Sequence, residues 1–133
     1  YRYGIWYCAT QLIYDHFVLG VGADNVQEKL NNCYNQFTYK SYEDFSKVTY
    51  NTHNQYFDQI LKFGVFGLIL FLLALCYFYP NSSVLYQTFI IVVLISFLTE
   101  NILDRQIGVV FVSLFNTIFV ILKLNKLEKS ISS

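Results

Sequence analysis

The stretch YNTHNQYFDQILKFGVFGLIL, Tyr50 to Leu70, carries one histidine and then turns from polar to apolar. An imidazole changes charge near neutral pH, so His53 can take up or release a proton under physiological conditions. Gly64 and Gly67 follow it by eleven and fourteen residues. On a single helix from about Asn51 to Tyr79, eleven residues at ~3.6 per turn return to within ~20° of the starting direction. Fourteen residues return to within ~40°. The spacing predicts that His53, Gly64 and Gly67 share one face with Phe57 and Ile60. Glycines on a transmembrane face let a neighbouring helix approach closely, so this face packs inward as a helix-packing motif. His53 then lies ~16 Å above Gly64, at ~1.5 Å per residue. That is the outer headgroup level, over the interior of the bundle, where a lipid-linked phosphate would sit.

The elements that must hold this histidine follow from composition. The chain has 133 residues, of which 55% are hydrophobic, 20% aromatic and 14% charged. An average soluble domain has about 25% charged residues. The apolar excess falls mostly after Ile60, which reads as an all-α integral membrane protein. Three apolar stretches predict transmembrane helices at about 60–79, 84–99 and 107–122. A crossing needs about 20 residues and no fewer than about 17, so the second and third borrow flanking residues. Pro80-Asn81-Ser82-Ser83 stops the first helix, and ENILDRQ, Glu100 to Gln106, joins the second to the third. Residues 60–133 thus form the membrane part with its tail, and 1–59 a helical periplasmic or interfacial segment.

Lys123, Lys126 and Lys129 follow the third stretch, whereas the Pro80 turn has no cation. The positive-inside rule puts the C-terminus in the cytoplasm and, through three crossings, residues 1–59 and His53 outside. Within 1–59, IWYCATQLIYDHFVLG has a helical apolar pattern ending at Gly20. DNVQEKLNNCYNQF opens with Asp24 as the expected N-cap of a polar helix. KSYEDFSKV, residues 40–48, predicts one or two more turns. The chain has no methionine and lacks the basic start and cleavage site of a signal peptide. It reads as the C-terminal piece of a longer membrane protein. Net charge is zero, so charge balance suggests no nucleic-acid partner. Cys8, Cys33 and Cys76 have no CxxC spacing, which argues against a zinc or thioredoxin-like site. Cys8 and Cys33 fall on the same outer side and can pair, while Cys76 fills apolar space.

HNQYFDQILKFGVFG also fits His-[Asn/Ser/Gln]-x9-Gly-x-x-[Gly/Thr/Tyr], a pattern of the O-antigen ligase and O-antigen polymerase superfamily, with His53, Asn54, Gly64 and Gly67 in the four fixed places. RYGIWYCATQLIYDHFVLGVGADN resembles a second stretch of that superfamily, an Arg, three residues, Trp and then hPllGvG. Arg2, Trp6, Gly20 and Gly22 match it, and Phe17 stands where the proline is usual. The order of the motifs and closing spans agrees over essentially the whole chain.

The resemblance implies a transferase that takes a glycan from undecaprenyl diphosphate at the periplasmic face of the bacterial inner membrane, using no metal and no other cofactor. A ligase moves it to lipid A-core, a polymerase to a growing lipid-linked glycan, and related members act as protein O-oligosaccharyltransferases. Ligation is the favoured reading. The reading from a different class is a non-catalytic membrane transport or scaffold component. The missing N-terminal helices imply that this piece alone is inactive.

Under the resemblance, His53 deprotonates the acceptor hydroxyl or hydrogen-bonds the donor diphosphate. Arg2 offers that leaving group a fixed cation and paired donors. Asn54 orients His53 or caps the helix. Arg105, on the outer loop, contacts substrate or pairs with Glu100 and Asp104. Lys62 is expected to snorkel. Gly20 and Gly22 read as a turn rather than a dinucleotide fingerprint, and His16 beside Asp15 as a surface pair. Trp6 and the tyrosines read as interface anchors.

Overall fold

A computed structural model of the chain describes residues 2–36, 50–80 and 82–131, and these are helices and turns. The elements are α1 (Arg2–Asp15), α2 (Val26–Tyr34), α3 (Gln55–Cys76), α4 (Val84–Ser96), a short 3-10 turn (Ile102–Asp104) and α5 (Gln106–Ile131). The turns expected of KSYEDFSKV lie outside the described residues.

α1 packs on α2 and on α3. Ile5, Cys8 and Ala9 of α1 bury against Val26, Leu30 and Tyr34 of α2 and Leu61 of α3. Cys8 and Cys33 form a disulfide across this core, with Cα atoms 5.8 Å apart. α2 starts one residue later than expected: Asn25, not Asp24, is the N-cap, and its side chain bonds no amide of the first turn. Asn25 instead donates its amide to the Val21 carbonyl. Gly20 and Gly22 take φ of 72° and 87°, so the GxG is the turn between α1 and α2.

A second apolar cluster joins Val93 and Phe97 to Val112, with Phe71, Leu75, Phe89 and Ile102 around it. Phe89 of α4 stacks against Phe111, Phe115 and Phe119 of α5. α3 and α5 are long and apolar enough to cross a membrane. α4 has 13 residues, or ~20 Å at ~1.5 Å per residue, against a hydrocarbon core of ~30 Å. The second of the three expected spans is therefore shorter than its apolar run, because the chain leaves the helix at Phe97. The third continues unbroken through Lys123 and Lys126 to Ile131.

α3 departs most from expectation. It begins at Gln55, and Gly64 breaks it with φ 69° and ψ −174°. In an unbroken helix the Val65 amide would bond the Leu61 carbonyl. Here Val65 N–H donates to the Phe17 carbonyl at 2.8 Å, and Val21 N–H donates to Leu61 at 2.7 Å. The loop after α1 is thus seated in the break and satisfies both groups, which would otherwise be orphaned in an apolar setting. A Cβ on Gly64 would collide with the Val18 backbone, and one on Gly20 would come within 2.7 Å of the Gly64 nitrogen. The bend also lets one ring meet two turns of α3: Phe97 lies 6.2 Å from Tyr56 and 5.9 Å from Phe71. A straight helix would hold those two Cα atoms ~22 Å apart. A Cβ on Gly67 would strike Phe63 of its own helix, so Gly67 answers to the bend just before it.

Candidate active site

The polar end of α3 is built by capping. Asn54 has an extended backbone, and its side-chain oxygen accepts from the amides of Tyr56 and Phe57 at 3.0 and 3.1 Å. Its side-chain NH2 donates to the Leu98 carbonyl. Both ends of this amide serve the backbone, so capping is the role that the geometry gives Asn54. Because the cap closes the helix, His53 stands outside it. Its φ is 46°, in the left-handed region that few side chains other than glycine adopt. The shared helical face inferred from the eleven-residue spacing does not exist, for two reasons. His53 precedes the helix, and Gly64 interrupts it.

A non-glycine residue in that conformation costs on the order of 1–3 kcal/mol and persists only where its surroundings over-determine it. The flanking residues Thr52, Asn54 and Gln55 are buried, as is Asn101 after α4. Asn101 is the hub. Its Oδ1 accepts from the Asn54 amide at 2.6 Å and from the Thr52 hydroxyl at 3.2 Å. Its Nδ2 donates to Asp104 at 3.0 Å. Gln55 donates its backbone amide to the Phe97 carbonyl and accepts the Leu103 amide on its side chain. From α1, the Trp6 indole donates to the Thr52 carbonyl at 3.0 Å, and its ring meets Phe57 edge-on. The turn that carries His53 is thus held by α1 on one side and by residues 97–104 on the other.

The same two elements bring charge to the imidazole. His53 Nδ1 lies 3.4 Å from Glu100 Oε2, and Arg2 Nη2 lies 3.8 Å from Glu100 Oε1. Arg2 and His53, both candidates from the sequence, therefore meet on one carboxylate. The side chains of Arg2, Glu100 and His53 are 59%, 45% and 29% exposed. At such exposure an ion pair adds little stability, about 0–1 kcal/mol. The cluster is accessible to solvent.

Arg105 lines a cleft of about 210 Å³ with Glu100, Asn101, Ile102, Ile107 and Gly108. The pairing expected of Arg105 with Glu100 and Asp104 is absent among the described residues. Glu100 turns to Arg2 and His53, and Asp104 to Lys62. Lys62 does not snorkel. Its ammonium bridges the buried Asp58 at 2.6 Å and Asp104 at 2.8 Å. Asp15 ends α1 and His16 follows it, both in exposed positions. Glu100 and Asn101 were missed as site residues. The available signal was an acid and an amide directly after an apolar run, at the same expected level as His53.

A family model described as O-antigen ligase matches residues 1–72. That range takes in Arg2, Trp6, the GxG turn, His53, Asn54 and both glycines of α3. Comparison with curated proteins and with solved structures gives no match. The matched residues include both sides of the helix break and His53 itself, and the match covers more than half of the chain: this protein belongs to the O-antigen ligase family.

Proposed function

We propose that the protein is a glycosyltransferase that moves a glycan from undecaprenyl diphosphate to an acceptor hydroxyl at the periplasmic face of the bacterial inner membrane, with lipid A-core as the acceptor. The observation that carries this reading is the meeting of His53 and Arg2, both in the part of the chain matched to the family, at Glu100, which lies beyond it. Nε2 of His53 accepts the proton of the acceptor hydroxyl. The freed oxygen lone pair attacks the anomeric carbon and forms the new glycosidic bond. The bond from that carbon to the diphosphate oxygen breaks, and its electron pair leaves on the diphosphate. Arg2 balances the charge that develops there with a guanidinium suited to phosphate oxygens. Arg105, on the cleft beside Glu100, is a second candidate contact for the donor.

Two features support the proposed orientation. The Cys8–Cys33 disulfide suits an oxidising compartment such as the periplasm. Lys123 bonds the carbonyls of Phe78 and Pro80, at the far end of the helices from His53, and cations favour the cytoplasmic side.

The test is His53→Ala in the full-length protein. Glycan transfer should be abolished while the amount of protein in the membrane is unchanged. Transfer at the wild-type level overturns the assignment. Analysis of lipopolysaccharide from a deletion strain then separates ligase from polymerase. Loss of a ligase leaves bare core and lipid-linked polymer, whereas loss of a polymerase leaves core carrying single repeat units.

A further inference from the structure

We propose that Glu100 is a positioning residue for the transfer reaction: it sets the imidazole of His53 and holds Arg2 until the donor's diphosphate takes its place. This rests on the function proposed above. Glu100 Oε2 faces Nδ1 of His53 at 3.4 Å. A carboxylate there favours the tautomer with its proton on Nδ1, which leaves the Nε2 lone pair free for the acceptor hydroxyl. Once Nε2 has accepted that proton, the carboxylate stabilises the imidazolium. Glu100 takes no proton itself, and the proton stays on His53 until product leaves.

The other oxygen lies 3.8 Å from Arg2 Nη2, an ion-pair distance longer than the 3.4 Å hydrogen-bond contact with His53. The pair is therefore loose and exposed. A diphosphate offers more charge and more acceptor oxygens than one carboxylate, so the guanidinium transfers to it when donor binds. Glu100 is then left with His53 alone. One side chain thereby couples donor arrival to the setting of the base.

The position of Glu100 is not adventitious. The next residue, Asn101, is buried and bonded to Thr52 and Asn54 on either side of His53. The backbone that carries the carboxylate is therefore registered to the turn that carries the imidazole. In the cleft lined by Glu100 and Arg105, Glu100 is the acidic member.

The experiment uses the full-length protein in vesicles, with donor lipid extracted from cells lacking the enzyme and acceptor from the same cells. E100Q keeps the shape of the side chain, but it removes the charge and turns an amide toward Nδ1. It should lower kcat by about 10- to 100-fold without raising KM for the donor lipid, since Arg2 is released rather than lost. E100D retains the charge and should recover part of that loss. An unchanged kcat in E100Q overturns the proposal, as does a raised donor KM at unchanged kcat, which would make Glu100 a substrate contact. Should E100Q fail to accumulate, E100D is compared alone: a several-fold fall in kcat at an unchanged melting temperature supports the role, and the wild-type kcat overturns it. H53A measured alongside distinguishes the two readings. Transfer by H53A at the wild-type rate overturns the catalytic assignment itself. An inactive H53A beside an unaffected E100Q overturns only the role of Glu100.

Discussion

The amide of Val65 and the carbonyl of Leu61 would bond each other in an unbroken helix, yet each is taken by the loop after α1, through Phe17 and Val21. The two glycine motifs of the chain interlock at this point. Gly20 and Gly64 pass backbone against backbone, with no room for a Cβ on either. α1 carries Arg2 and α3 follows directly from His53, so this junction fixes the relation between them.

Gly64→Ala should therefore be the most damaging of the small glycine substitutions. Positive φ alone costs an alanine about 1–2 kcal/mol, and the added methyl must also displace the Val18 backbone. A fall in melting temperature in detergent of roughly 5–10 °C is expected, together with loss of glycan transfer. Gly22→Ala is the control. It has positive φ, but its nearest neighbour is the Asn25 side chain at 3.5 Å. It should lose only the ~1–2 kcal/mol of strain and keep most activity. Equal effects of the two substitutions would argue against the interlock.

Asn101→Leu removes the acceptor of the buried Asn54 amide, while the Thr52 hydroxyl keeps the Asn54 carbonyl at 3.0 Å. The orphaned amide costs about 1–3 kcal/mol. The histidine turn should then relax from its left-handed form, and transfer should fall even where protein remains in the membrane. The checks are thermal melting and transfer measured on the same preparation. Wild-type activity would show that the turn does not need its hub.

Cys8→Ser and Cys33→Ser should destabilise the α1–α2 core by about 2–4 kcal/mol each, and the double substitution by no more than either single one. Gel-shift alkylation of the intact protein should modify Cys76 before reduction and all three cysteines of this chain after it. Reaction of Cys8 and Cys33 without reductant would contradict the disulfide and weaken the periplasmic placement.

Lys62→Met leaves Asp58, which is buried, without its cation. Breaking a buried pair by removing one partner costs about 3–5 kcal/mol. The variant should melt markedly lower than wild type, and Asp58→Asn in the same chain should restore part of the loss. No recovery in the double variant would argue against the pair.

The sequence made the helices after Gly20 and before Pro80 readable because glycine and proline act through local backbone geometry. The GxG turn and the stop of α3 before Pro80 came from such signals. The start of α3 did not, because a helical period drawn through His53 cannot register an asparagine cap at the next residue. Gly64 was read as a place for close helix contact. It is instead a place where the helix stops and restarts, and what fills it, Phe17 to Val21, lies more than forty residues upstream. His53 and Arg2 were legible as residue types and through the family motif. Glu100 and Asn101 were not, because their importance depends on a hydrogen bond across 47 residues of sequence. The shortness of α4 was likewise hidden, since its apolar run extends past the residue at which Phe97 turns out of the helix to meet Tyr56 and Phe71.

That long-range bond also orders the making of the protein. The turn around His53 is completed by residues that leave the ribosome some fifty positions after it. A nascent chain that has emerged only through α3 carries the histidine but not the buried amide that fixes its backbone. The fixing of the His53 turn therefore arrives late in synthesis, after α4, and a truncation before Phe97 should retain every residue of the motif and the helix break but not the hydrogen bonds that hold the turn from residues 97–103.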